Sequence, residues 1–154
     1  MRQAGRYLPE YLELRKRVTF LELCASTDAM VEATMMPIDR FDLDAAIIFS
    51  DILIPLEPMG AKLKFDGGPQ IENPVKTKSD VEALSLFDPT EKLQPVLNAI
   101  TALRKQLDPS IALLGFAGAP FTLASYLCEG KGSNSFNAVR SLLHADPQTA
   151  HQLF

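Results

Sequence analysis

Two charge-free apolar runs constrain this chain more than any other feature. One is Ala45-Ala46-Ile47-Ile48-Phe49, which ends abruptly in Ser50-Asp51; the other is Ile111 to Phe116. Both are too short for helices and carry no charge on either face, so they read as strands buried on both sides, as in a parallel sheet. Ile52 to Pro55 continue the first run as further apolar sequence, leaving Asp51 between two apolar segments. A carboxylate in that position is costly unless something pairs with it. In parallel sheets and barrels, catalytic groups sit at the C-terminal ends of strands. On these residues alone, Asp51 serves equally well as a catalytic group or as the cap of a loop.

The rest of the chain alternates helical and extended patterns. A short amphipathic helix is predicted over Tyr11 to Arg17, with Pro9 suited to its first turn and a further turn over Phe20 to Cys24. Thr27 is placed to cap a helix whose apolar positions include Met30, Val31, Ala33, Thr34 and Met35, with Pro37 kinking it or lying near its end. Asp39, Asp42 and Asp44 read as a solvated loop before the first strand. Ala61 to Phe65, the turn Asp66-Gly67-Gly68-Pro69 and Gln70 to Asn73 form a predicted hairpin. Ser79-Asp80-Val81-Glu82 reads as a capping box. Thr90 to Leu107 is a longer helix, which Pro95 allows to begin only near that residue. Pro120 opens another helix, Gly130-Lys131-Gly132-Ser133 reads as a flexible loop, Phe136 to His144 is helical, and Pro147 starts a last helix.

The chain has 154 residues, enough for one domain with a core, and 47% hydrophobic content, which is ordinary for a globular protein. A net charge of −4 gives no general attraction to nucleic acid or to an anionic membrane, so any anionic ligand needs a local cluster of arginines. Such a cluster opens the chain: Arg2 and Arg6 flank Gly5, and two arginines near a glycine turn suit bidentate grip of two carboxylates. A solvated basic segment is the alternative. Cys24 and Cys128 match no metal or redox spacing and read as two partly buried thiols in a reducing compartment. No signal peptide or membrane-spanning run is evident, which predicts a cytoplasmic location. His144 and His151 fall on late helices and read as surface residues.

Three segments together resemble uroporphyrinogen decarboxylases. They are Met1 to Glu10 with Tyr11 and the helix through Arg17; Phe49-Ser50-Asp51-Ile52-Leu53; and Gly115 to Tyr126 with Glu129-Gly130. The resemblance implies a (β/α)8 TIM barrel of roughly twice this length. The expected fold class is therefore α/β, with residues 1–154 a single partial domain from the N-terminal portion of that barrel. Only the end of a first strand and two further core strands are evident, too few to close eight. A fragment, or a truncated gene model whose Met1 is an internal methionine, is the expectation, and the chain alone is expected to be inactive.

The implied activity is stepwise decarboxylation of the four acetate side chains of uroporphyrinogen III to give coproporphyrinogen III, without metal or organic cofactor. Residue by residue, the resemblance makes Asp51 the central aspartate and Arg2 and Arg6 carboxylate-binding arginines. Gln3, Ala4 and Gly5 become substrate contacts, and Tyr126 a substrate-contacting tyrosine. Arg2 is also a candidate proton donor, acting through water or a substrate carboxyl, because a guanidinium does not readily give up its own proton. The family's substrate-binding serine and histidine have no counterpart here. The resemblance further implies a homodimer with no nucleic-acid or membrane partner. Two readings compete: a zinc-dependent corrinoid or thiol methyltransferase of the same barrel superfamily, and a non-catalytic half-barrel that binds a partner.

Overall fold

The computed structural model describes residues 6–154. In chain order the elements are α1 (Pro9–Arg17), α2 (Phe20–Ala25), α3 (Thr27–Arg40), β1 (Ala45–Ile47), a 3-10 turn (Ile54–Leu56), β2 (Leu63–Phe65), β3 (Pro69–Ile71) and α4 (Lys78–Glu82). They continue with α5 (Pro89–Lys92), α6 (Gln94–Gln106), β4 (Ala112–Leu114), α7 (Pro120–Glu129), α8 (Asn137–Ala145) and α9 (Pro147–Leu153). These elements form two compact units. The first holds the chain up to Asp51 together with Pro89–Phe116; the second holds Ile52–Asp88 and Ala117–Phe154.

In the first unit β1 and β4 pair in parallel, Ala45 opposite Ala112 and Ile47 opposite Leu114. The intervening chain supplies the long crossover that a parallel pair requires. The Ile48 N–H donates to the Leu114 carbonyl at 3.0 Å, extending the contact one residue past the ladder. α3 and α6 pack on each other, and their Met30, Ala99 and Leu103 are fully buried, as are Leu23 and Ala46. Pro9 stands in the first turn of α1, where its missing N–H costs nothing, and Arg15, Lys16 and Arg17 suit the negative end of that helix. Thr19 and Glu22 form a reciprocal capping box on α2.

Several expectations change here. The cap of α3 is Ser26, which accepts from the Ala29 N–H at 3.3 Å. Thr27 is the first helical residue and donates its hydroxyl to the Pro95 carbonyl at 3.1 Å. Both residues favour a cap; Ser26 takes it, and Thr27 begins the helix. The long helix begins near Pro95: α5 stops at Lys92 and α6 starts at Gln94, with Pro95 in its first turn. β4 is not covered on both faces, because Ala112 and Leu114 are exposed and Ile111 and Leu113 only partly buried. A charge-free run requires a cover on each side, and among the described residues β4 pairs only with β1.

In the second unit β2 and β3 form the predicted antiparallel hairpin, Leu63 opposite Ile71, with its return strand one residue earlier at Pro69–Ile71. The capping box of α4 belongs to Thr77 and Asp80, two residues before the predicted start at Ser79. Asp80 takes the N–H groups of Lys76 and Thr77, which holds its carboxyl below the ordinary range. Gly130 ends α7 at φ 71°, a left-handed conformation that suits glycine. Its carbonyl accepts from the Ile71 N–H at 2.7 Å, and Lys131 bridges to Gln70. The predicted flexible loop is therefore tied to the hairpin by backbone hydrogen bonds. Ala124, Cys128 and Val139 form the core beneath, joined by Phe136, Leu142 and Leu153.

Candidate active site

In the first unit the site begins at the end of β1. Phe49 is buried, and its N–H donates to the Thr34 hydroxyl at 2.8 Å. The same hydroxyl donates to the Met30 carbonyl at 2.7 Å, inside α3. Thr34 is thus a buried clamp between helix and strand end, satisfied in both directions. It fixes the backbone that leads through Ser50 to the partly buried Asp51. From the sequence Thr34 looked like one more position on the apolar stripe of α3. The available signal was a hydroxyl among Met30, Val31 and Ala33, at a point where a strand end needs a partner.

Phe49 also gathers an aromatic group. Tyr11 from α1 lies 5.6 Å from it and Phe20 from α2 lies 6.0 Å away, edge-on. The Arg6 guanidinium stands 5.4 Å from the centroid of Phe20 and 5.9 Å from that of Phe49. Arg15 approaches Phe20 at 5.8 Å. Burial raises the Tyr11 phenol above its ordinary value, and the positive charges of Arg6 and Arg15 pull it partly back. The geometry therefore brings Arg6 onto the residue two places before Asp51. Arg2, Gln3, Ala4 and Gly5 lie outside the described residues.

In the second unit Tyr126 stands on α7, its ring 6.0 Å from Phe136 and edge-on to it. Phe136 adopts φ 48°, the one non-glycine residue with positive φ among those described. Its N–H donates to the Ser133 hydroxyl at 3.1 Å, and Glu129 accepts the Ala138 N–H at 2.7 Å in the first turn of α8. A Cβ added to Gly118 would meet Leu123 Cδ2 at 2.5 Å, so the turn before α7 is closely packed where the sequence turns small. His144, His151 and the aspartates at 39, 42 and 44 are exposed, but Asp39 stands in the last turn of α3 and not in the predicted loop. Cys24 and Cys128 are both buried. Among the described residues, no group of three or more His, Cys, Asp or Glu is placed to hold a metal ion, and no helix is long and apolar enough to cross a membrane.

Comparison with known proteins completes the picture. The chain superposes on a methyltransferase from Methanosarcina mazei with a TM-score of 0.69 at 18% identity, covering 92% of this chain and 42% of the other. That likeness concerns the fold, and with the parallel β1–β4 crossover it makes this chain part of a (β/α) barrel. Curated relatives bearing the name uroporphyrinogen decarboxylase are much closer in sequence. The protein from Trichlorobacter lovleyi is 53% identical over 147 residues, covering 96% of this chain and 43% of its own length. That from Geobacter metallireducens is 51% identical over 148 residues, and that from Myxococcus xanthus 49% identical over 155, each covered over 44% of its length. The chain thus spans less than half the length of the curated relatives it matches. The family model for uroporphyrinogen decarboxylase (URO-D) matches residues 1–154. By that match across all 154 residues, the chain belongs to the uroporphyrinogen decarboxylase family.

Proposed function

We propose that residues 1–154 form the N-terminal portion of a decarboxylase barrel, as a single partial domain. Its reaction is the removal of CO2 from the four acetate side chains of uroporphyrinogen III, giving coproporphyrinogen III for porphyrin and haem synthesis. The observation that carries this reading is the family match over every residue of the chain. The seating of Arg6 beside the strand end that leads to Asp51 supports it.

The chemistry needs no metal or organic cofactor, because a pyrrole protonated at the ring carbon next to the one bearing the acetate is itself the electron sink. Loss of CO2 from that cation leaves a neutral ring with an exocyclic methylene; a second proton on the exocyclic carbon makes the methyl, and release of the first proton from the ring restores the pyrrole. Asp51 lies close to the pyrrole N–H groups in this reading and stabilises the developing positive charge. Arg2 and Arg6 grip substrate carboxylates, with Gln3, Ala4 and Gly5 between them as contacts, and Arg2 relays a proton through water or a substrate carboxyl. Tyr126 contacts the substrate from α7. The protein works in the cytoplasm as a homodimer, with uroporphyrinogen as its small-molecule partner and neither nucleic acid nor membrane.

The test is a chimera in which this chain replaces the matched segment of the Trichlorobacter lovleyi relative. It is expected to convert uroporphyrinogen to coproporphyrinogen, and Asp51→Ala to lower the rate on the order of 10²–10³-fold while the fold stays intact. Near-normal turnover by Asp51→Ala would remove the assigned role. A folded chimera with no turnover would favour a non-catalytic barrel segment.

A further inference from the structure

The arginines that suit a polyanionic ligand have long, flexible side chains, and something must hold them if they are to grip in a fixed geometry. In the first unit two buried rings meet that need for Arg6. Its guanidinium stands 5.4 Å from the Phe20 centroid and 5.9 Å from that of Phe49. Phe20 and Phe49 are each 8% exposed and meet edge-on at 6.0 Å, so neither ring is free to turn away. Tyr11 backs Phe49 at 5.6 Å. Phe49 is further fixed through its backbone by Thr34, and Phe20 follows the capping box of α2.

A guanidinium against an aromatic ring uses its π face, whereas its five N–H donors lie in the guanidinium plane. Contact with the rings on one side and carboxylate binding at the in-plane donors therefore do not compete. Restricting Arg6 beforehand also lowers the ordering cost of binding. We infer that Phe20 and Phe49 are positioning residues, an aromatic seat that holds the Arg6 guanidinium ready for a substrate carboxylate. The seat rests on the proposed role of Arg6 but is separable from it by experiment.

Two measurements on the chimera described above decide it. In 1H–15N spectra of the arginine Nε–H groups, the Arg6 signal is expected to carry a ring-current shift. Phe20→Leu and Phe49→Leu should each reduce that shift, and Phe20→Tyr should keep it. In the second measurement, uroporphyrinogen III binds under anaerobic conditions, and Phe20→Leu weakens binding about two- to fivefold. In an Arg6→Ala background the same change should have no further effect, since the coupling runs through the guanidinium. An Arg6 signal unmoved by either leucine substitution, or additive effects of Phe20→Leu and Arg6→Ala, overturns the seat. If Phe20→Leu does not fold, the wild-type shift and Phe49→Leu decide. A clear ring-current shift in a chain that does not bind uroporphyrinogen leaves the seat standing and removes the proposed ligand instead.

Discussion

Arg6 and Cys128 show how one side chain is set by what surrounds it. Arg6 lies against two rings, and the proposed function asks its planar fork to hold a carboxylate. Lysine would keep the charge and lose both the fork and most of the stacking. Arg6→Lys is expected to weaken uroporphyrinogen binding about tenfold, measured by titration at fixed salt. Equal affinity for the two would refute bidentate recognition at this position. Cys128 sits in the core of the second unit, where burial, and then the charge of Glu129, push its thiol up to about 11 from an ordinary 9.0. The folded state therefore holds this proton more tightly than the unfolded chain does. Its contribution to stability is complete below about pH 9 and is lost as pH climbs towards 11. Denaturant midpoints measured between pH 8 and 11 should fall across that window. Cys128→Ala should reduce that slope, while the raised phenol of Tyr11 still contributes to it. Superimposable slopes would mean that the thiol is not the source.

At the scale of elements, α7 stops where a distant strand takes up its last backbone groups. Gly130 takes the left-handed conformation, and its carbonyl then accepts the Ile71 N–H of β3. A Cβ placed there would stand 3.1 Å from the Ile71 carbonyl and 3.3 Å from Pro74. Gly130→Ala thus combines an unfavourable φ with a tight fit against backbone. It should cost about 1–2 kcal/mol, read from the shift of the denaturation midpoint. No measurable loss would show that the helix end relaxes without this contact. The same contact explains why a segment rich in glycine and serine is not a free loop. Its backbone groups are taken up by a hairpin some sixty residues earlier in the chain, as the bridge between Gln70 and Lys131 records.

For the whole molecule, the apolar faces of β4 set the expectation. Leu114 is 47% exposed and Phe116 45%, although both belong to a run without a single charge. Such residues at the open side of a two-stranded sheet invite pairing with another copy. The 154-residue chain should self-associate with rising concentration, which size exclusion at several loadings will reveal. Leu114→Lys should shift it towards monomer. A wild-type chain that stays monomeric throughout would mean that this face is covered in solution.

The sequence by itself determined the identity and order of most elements, because they rest on local chemistry. Periodicity located α1 and α6, Pro9, Pro95 and Pro120 marked helix starts, and two charge-free runs announced β1 and β4. The family was legible too, since it is carried by short contiguous motifs around Arg6, Asp51 and Tyr126, and the family match bears it out. Other features depend on residues far apart in the chain and emerge only on folding. Thr27 reaches Pro95 with its hydroxyl; Thr34 is a clamp because Phe49 arrives beside it; Gly130 is paired because Ile71 arrives beside it. Each is a choice between two locally acceptable partners, and hydrogen bonds made across long stretches of chain settle such choices. The setting of Arg6 is of the same kind. Its ring contacts come from Phe20 and Phe49, and only folding brings all three together.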